Sequence, residues 1–167
     1  MVALLEVGNC VPNWRAGVLN RDFVSQLQEE ATAVCKEFPK LRLIGAASSG
    51  ESSTSSIALG EGNGRTAFAH FVVQGLRGDA NGWSFDSVTG RSKLSTKKDR
   101  RVSFEELFAY LHEQIANWSV KHRGQSQTVW CVPAVADRSK AKSKLDLVQI
   151  RKDDSLKKLA RSEEHTS

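Results

Sequence analysis

The sequence predicts an α/β fold: a mostly parallel sheet with helices flanking its faces. Three observations carry that reading. Short buried hydrophobic runs recur at Val2–Val7, Leu41–Ala47 and Thr128–Val132. Stretches with apolar residues at every third or fourth position separate them. Strands that alternate with helices in this way imply βαβ units, whose crossovers lay helices on a largely parallel sheet.

The elements follow in order along the chain. Val2 to Val7 reads as a buried strand, and the turn formers Gly8, Asn9, Pro12 and Asn13 end it. Asn20 is placed to cap a helix running to about Phe38, along which Phe23, Leu27, Ala31, Val34 and Phe38 make one apolar face. Pro39 stops that helix, and Leu41–Ala47 is a second strand bounded by Ser and Gly. Residues 48–64 are dominated by Ser and Gly and read as a long loop, which in a compact domain is functional or disordered.

Thr66 to Leu76 returns to helical spacing through Phe68, Phe71, Val72 and Leu76, with Gly78 set to end the helix in a left-handed conformation. The polar run with Arg91, Lys93, Lys97, Lys98, Arg100 and Arg101 reads as a solvated surface loop. Ser103-Phe-Glu-Glu106 is a capping box, in which the Ser hydroxyl accepts from the Glu106 N–H and the Glu106 carboxylate accepts from the Ser103 N–H. Phe104, Leu107, Phe108, Leu111, Ile115 and Trp118 then line one helix face, closed by Arg123 and Gly124. Thr128–Val132 is a third strand and Lys144–Ile150 a weaker fourth.

Composition bounds the class. With 167 residues, 40% hydrophobic and 26% charged, the chain is one globular domain or part of one. That length buries enough surface to need neither a metal nor a disulfide, and no cofactor is expected. Cys10, Cys35 and Cys131 are odd in number and form no CxxC, which argues against a disulfide framework or a zinc site and fits a reducing cytoplasm. No stretch approaches the ~18 apolar residues of a membrane span, and Val2–Leu5 is too short for a signal-peptide core. The expected location is therefore cytoplasmic.

The net charge of +5 is not spread over the chain. Residues 135–161 hold nine Lys/Arg against four Asp/Glu, so the preceding body is close to neutral. No aromatic residue is interleaved among those charges to stack on a base, so the stretch reads as a solvated linker and no specific nucleic-acid binding is expected.

Both ends of the chain are abrupt. Arg161 to Ser167 spell the in-frame translation of a common short-read sequencing adapter and are set aside as read-through. Val2 opens a buried strand with nothing before it, and a parallel strand needs neighbours, so the native protein is expected to extend upstream. The resulting division is a folded portion at 1–134, a basic linker with one strand at 135–160, and read-through at 161–167.

One series of residues carries a resemblance. Phe68-x-x-Phe-Val-Val-x-Gly-Leu-Arg-Gly-Asp-Ala80, Val102-Ser-Phe-Glu-Glu-Leu107, Tyr110-Leu111, Trp118 and Arg123-Gly-x-x-x-Gln-Thr128 stand in the order found in caspase-like domains. The chain resembles the C-terminal half of the caspase/metacaspase family of cysteine peptidases, bacterial members most closely, over residues 2 to about 134. The resemblance implies a three-layer sandwich truncated at its N-terminus. Within it, Val2–Val7 matches the nucleophile-bearing strand, while Gly45-Ala-Ala-Ser48 and Gly50-Glu-x-Ser53 match a strand and loop bordering the substrate pocket.

The same resemblance implies a Cys activated by a His, since a free thiol is only a few per cent thiolate at pH 7. This chain departs from it. Where the family strand ends in Asp-x-Cys, the matching stretch is Val7-Gly8-Asn9, so Asn9 occupies the nucleophile position, and no His precedes it. Cys10 is the alternative nucleophile, but a shift of one residue turns a strand side chain to the other face, and a bland thiol is the preferred reading. His70 and His112 sit on helical segments and read as surface or boundary histidines; Cys35 and Cys131 read as core.

Glu51 and Ser53 are the candidate substrate-binding residues, because strand-end loops of open parallel sheets are where ligands bind; the alternative is a flexible, solvated Ser-rich loop. Asp79 either caps or orients the loop after Gly78, as the resemblance implies, or is a solvated acid. No metal site is expected. The functional expectation is a caspase-like scaffold or regulatory module without peptidase activity, with a protein or peptide as partner and self-association through an exposed sheet edge. The alternative is an active cysteine endopeptidase whose N-terminal half is absent from this chain, and an unrelated α/β binding domain is a weaker third reading.

Overall fold

The computed structural model describes residues 1–7, 23–59, 64–96, 98–135 and 145–150. At its centre lie three strands in the order β1 (Val2–Leu5), β2 (Arg42–Gly45), β8 (Trp130–Val132). Strands β1 and β2 pair in parallel with Leu5 opposite Gly45. Their side chains alternate between two cores, as the two-residue period of a strand requires. Ala3, Leu5, Leu43, Trp130 and Val132 face one helix, α1 (Phe23–Glu37), and meet its Leu27, Ala31 and Cys35. Val2, Ile44 and Cys131 face the opposite side, toward α2 (Ala67–Gln74) and α3 (Phe104–Arg123). Helices therefore cover both faces of a mixed α/β fold.

The sheet departs from the mostly parallel expectation. Strand β8 runs antiparallel to β2, with Gly45 opposite Trp130 and Leu43 opposite Val132. The reason lies just upstream, where Gln127 Nε2 donates to Ala46 O at 2.8 Å. The chain is thereby anchored at the carboxyl end of β2, and a strand entering there has to run back along it.

The apolar arc of α1 is wider than the three strands cover. Val24, Ala31 and Cys35 are buried, whereas Phe23, Val34 and Phe38, expected on the same inward face, are exposed. By contrast α3 forms as the sequence predicts. Ser103 Oγ accepts from Glu106 N, Glu106 Oε2 accepts from Ser103 N at 2.8 Å, and Gly124 closes the helix with φ 63°. Phe104, Leu107, Leu111 and Ile115 are fully buried, each contributing about 2 kcal/mol by removal from water.

Two stretches expected to be loops hold strands. Within residues 48–64 and just beyond, β3 (Ser55–Ser56) pairs with β4 (Arg65–Thr66). The polar stretch before Ser103 contains a hairpin of β5 (Trp83–Asp86) and β6 (Arg91–Leu94), followed by β7 (Arg101–Ser103). Trp83 packs edge-to-face on Tyr110 and Phe85 on Phe108, so the hairpin lies against α3, while Arg91 and Lys93 remain exposed. Asp86 Oδ1 accepts from Val88 N and shapes the turn. The weak fourth strand is real: β9 (Asp146–Gln149) pairs antiparallel with β7, and Arg101 bridges Asp146 at 3.1 Å. Gly78 has the expected positive φ, 126°, but within a wide π-type turn, Gly75–Asp79, that continues α2. Of the basic stretch at 135–160, Val135 and residues 145–150 are described, and the 161–167 segment lies outside the described residues.

Candidate functional site

The parallel pair β1–β2 opens at its carboxyl end, the place where open α/β sheets hold ligands. Ala46 N donates to Leu5 O at 2.9 Å, so the carboxyl ends of β1 and β2 lie side by side. Asn9 and Cys10 follow β1 by a few residues and lie outside the described residues. Glu51 and Ser53 lie on the segment after β2.

That segment is built as a braced ledge. Glu51 Oε2 accepts from Ser48 N at 3.2 Å and from Thr128 N at 2.5 Å, and Oε1 accepts from Thr128 Oγ1 at 3.0 Å. Ser48 Oγ returns a bond to Thr128 O at 2.9 Å. Both carboxylate oxygens are thus engaged by the chain itself, and Glu51 ties the segment to the entry of β8. Ser53 Oγ is buried without a hydrogen-bond partner among the described residues.

Behind the ledge sits Gln127, fully buried. Its Oε1 accepts from Thr54 N at 3.0 Å, Thr54 Oγ1 at 2.5 Å and Ser119 Oγ at 3.3 Å, while its Nε2 holds Ala46 O. A side-chain amide suits this place because it supplies a donor and an acceptor from one neutral group. Trp130 Nε1 donates to Ala47 O at 2.9 Å, and its ring lies directly over Gly45. A Cβ on Gly45 would come within 2.1 Å of that ring, so only glycine lets the indole lie flat against the strand.

Sequence reasoning missed Gln127, Thr54, Ser119 and Trp130 as members of this site. Gln127 and Thr128 stood in the quoted motif series, and that was their only signal. Buried polar residues between a helix end and a strand are recognised by their partners, which lie up to 83 residues away.

The two histidines are elsewhere. His112 packs against Phe85 and Phe108 under the β5–β6 hairpin, and burial pushes its imidazole pKa down. His70 lies on α2 against Phe71. Burial pushes the Cys131 thiol up to about 12, and burial likewise raises that of Cys35, whose Sγ faces Val132 O. Asp79 is exposed and acts on Tyr110, whose hydroxyl is pushed up to about 12 mainly by burial and secondarily by that carboxylate. Among the described residues no three His, Cys, Asp or Glu side chains gather as metal ligands, and no helix is long and apolar enough to cross a membrane.

What this arrangement does is brace the segment after β2 against the entry of β8. Comparison with protein-family models, with curated proteins and with solved structures finds no significant match to the chain.

Proposed function

We propose that the chain is a caspase-like domain that retains the scaffold of a cysteine endopeptidase without its peptidase chemistry, and that it works as a regulatory module for a protein or peptide partner. The observation that most supports this reading is the bond from Ala46 N to Leu5 O. It joins the end of β1 to the start of the segment bearing Glu51 and Ser53, which agrees with the neighbouring nucleophile strand and pocket loop that the resemblance implies. At the nucleophile position an asparagine amide cannot replace a thiolate, because its nitrogen lone pair is delocalised into the carbonyl.

The test is hydrolysis of Arg, Lys and Asp peptide substrates by the purified chain under reducing conditions. No thiol-dependent turnover is expected, and Asn9→Cys alone should not restore it, because the base is still lacking. Thiol-dependent hydrolysis abolished by Cys10→Ala would overturn the proposal in favour of an active endopeptidase.

A further inference from the structure

Beside the ledge, a groove of about 420 Å³ opens between the β3–β4 pair and the end of α3. Its lining includes Arg65, Arg123, Ser55, Ser56, Thr66 and Ile57. It carries, among the described residues, two guanidinium groups and three hydroxyls and no acidic side chain. Among the described residues neither arginine has a carboxylate partner, the one ion pair there being Arg101 with Asp146. Two like charges lining one groove repel each other, and an anion seated between them removes that cost.

The donors are held ready. Arg123 donates to Ser55 O and stands 6.0 Å from the centre of the Trp118 ring, which fixes the guanidinium and leaves further N–H groups unused. Register puts Arg65 opposite Ser56. Ser56 Oγ accepts from Ala58 N and so keeps its proton for a ligand, whereas Thr66, on the other side of the pair, caps α2 by accepting from Ala69 N. The groove is also fastened to the strand-end network, because Ala67 N donates to Thr54 O at 2.8 Å and Thr54 is held by Gln127.

We propose that this groove is a binding site for an oxyanion, a carboxylate or phosphoryl group, carried on a peptide. The oxyanion accepts from Arg65 and Arg123 and from the Ser56 hydroxyl, which register sets on the same side of the β3–β4 pair as Arg65, in the charge-assisted geometry that arginine provides. The peptide source follows from size and chemistry: the volume falls within the range of ligand pockets and exceeds one ion, and Ile57, 77% exposed, offers an apolar contact at the rim. This site does not depend on whether the chain ever had peptidase chemistry.

The experiment is titration calorimetry on the full chain with four probes: inorganic phosphate, a short peptide with aspartate beside valine, the same peptide with asparagine, and the same with phosphoserine. The aspartate and phosphoserine peptides should bind and the asparagine peptide should not. Arg65→Gln should weaken binding by about tenfold, and raising salt from about 0.05 to 0.5 M should weaken it further. Because Arg123 also holds Ser55, its variant is Arg123→Lys, which keeps the charge, paired with a melting curve to show that the fold is intact. Equal binding of the aspartate and asparagine peptides, unchanged affinity in Arg65→Gln, or no binding by any probe would overturn the proposal. Phosphate binding that no peptide improves would overturn the peptide source and leave a free-ion site.

Discussion

Gln127 and Thr54, 73 residues apart in sequence, share one buried oxygen: Gln127 Oε1 accepts from both the backbone N–H and the hydroxyl of Thr54. Through Nε2 the same amide holds Ala46 O. One neutral side chain therefore joins the two ends of the segment after β2 to the entry of β8. Replacing Gln127 by Leu keeps most of its volume and strands Thr54 N and Ala46 O without partners. The expected cost is about 3 kcal/mol, or about 10 °C in melting midpoint. A melting curve within a degree or two of the parent would show that the network is dispensable.

Gly45 and Trp130 give a second test. Gly45→Ala drives a methyl into the indole, and overpacking of this kind costs about 2 kcal/mol. Trp130→Phe in the same background should recover part of the loss, since the smaller ring makes room. Chemical denaturation of the single and double variants reads out the coupling; strictly additive losses would contradict the clash.

Acid should weaken the fold through His112. Its Nδ1 is buried with no hydrogen-bond partner among the described residues, and burial lowers its pKa in the folded state below the ordinary 6.5, against a weaker opposing pull from Glu113. The unfolded chain therefore takes up its proton first as pH falls. Stability held near neutrality should decline as pH drops below about 6.5 and level off below the folded pKa. The His112→Phe variant should lose less stability than the parent between pH 7.5 and 5.5. Parallel stability profiles for the two proteins would remove His112 as the cause.

The thiols of Cys35 and Cys131 should be slow to react. Both have raised pKa values through burial, so little thiolate is present at pH 8. Alkylation followed by peptide mapping should show both protected in the native chain and labelled quickly after unfolding. Rapid native labelling of Cys131, which is half-buried and lines a groove with Cys35, would show that its surroundings do not protect the thiol.

Among the described residues β1 pairs with β2 alone, leaving one edge of the strand without a sheet partner. Unpaired N–H and C=O groups along an apolar strand are a template for association. Sedimentation velocity should show mass rising with protein concentration, and Leu4→Lys, at an exposed position of that strand, should suppress it. A monomer at every concentration would show that the edge is covered.

Local signals made α3 and its cap legible in full. The box Ser103–Glu106 is a contact three residues long, and the apolar period of Phe104, Leu107, Leu111 and Ile115 is set within single turns. The same holds for β2 and for the body of α1. The β5–β6 hairpin was hidden because its charged strand, Arg91–Leu94, has the composition of a loop, although Trp83 and Phe85 alternate with polar residues as a half-buried strand does.

The sequence by itself determined where the main helices and central strands lie and which residues cap and fill them, because helix and strand periods are properties of neighbouring residues. Tertiary structure decided the direction of β8, the inward face of α1 and the duty of Glu51. These depend on bonds such as Glu51 to Thr128 and Gln127 to Ala46, which span 77 and 81 residues. A short buried strand has the same hydrophobic pattern whichever way it runs, and a carboxylate on a loop has the same chemistry whether it meets a ligand or the protein's own backbone. The choice is made by which donors and acceptors must be satisfied once water is excluded.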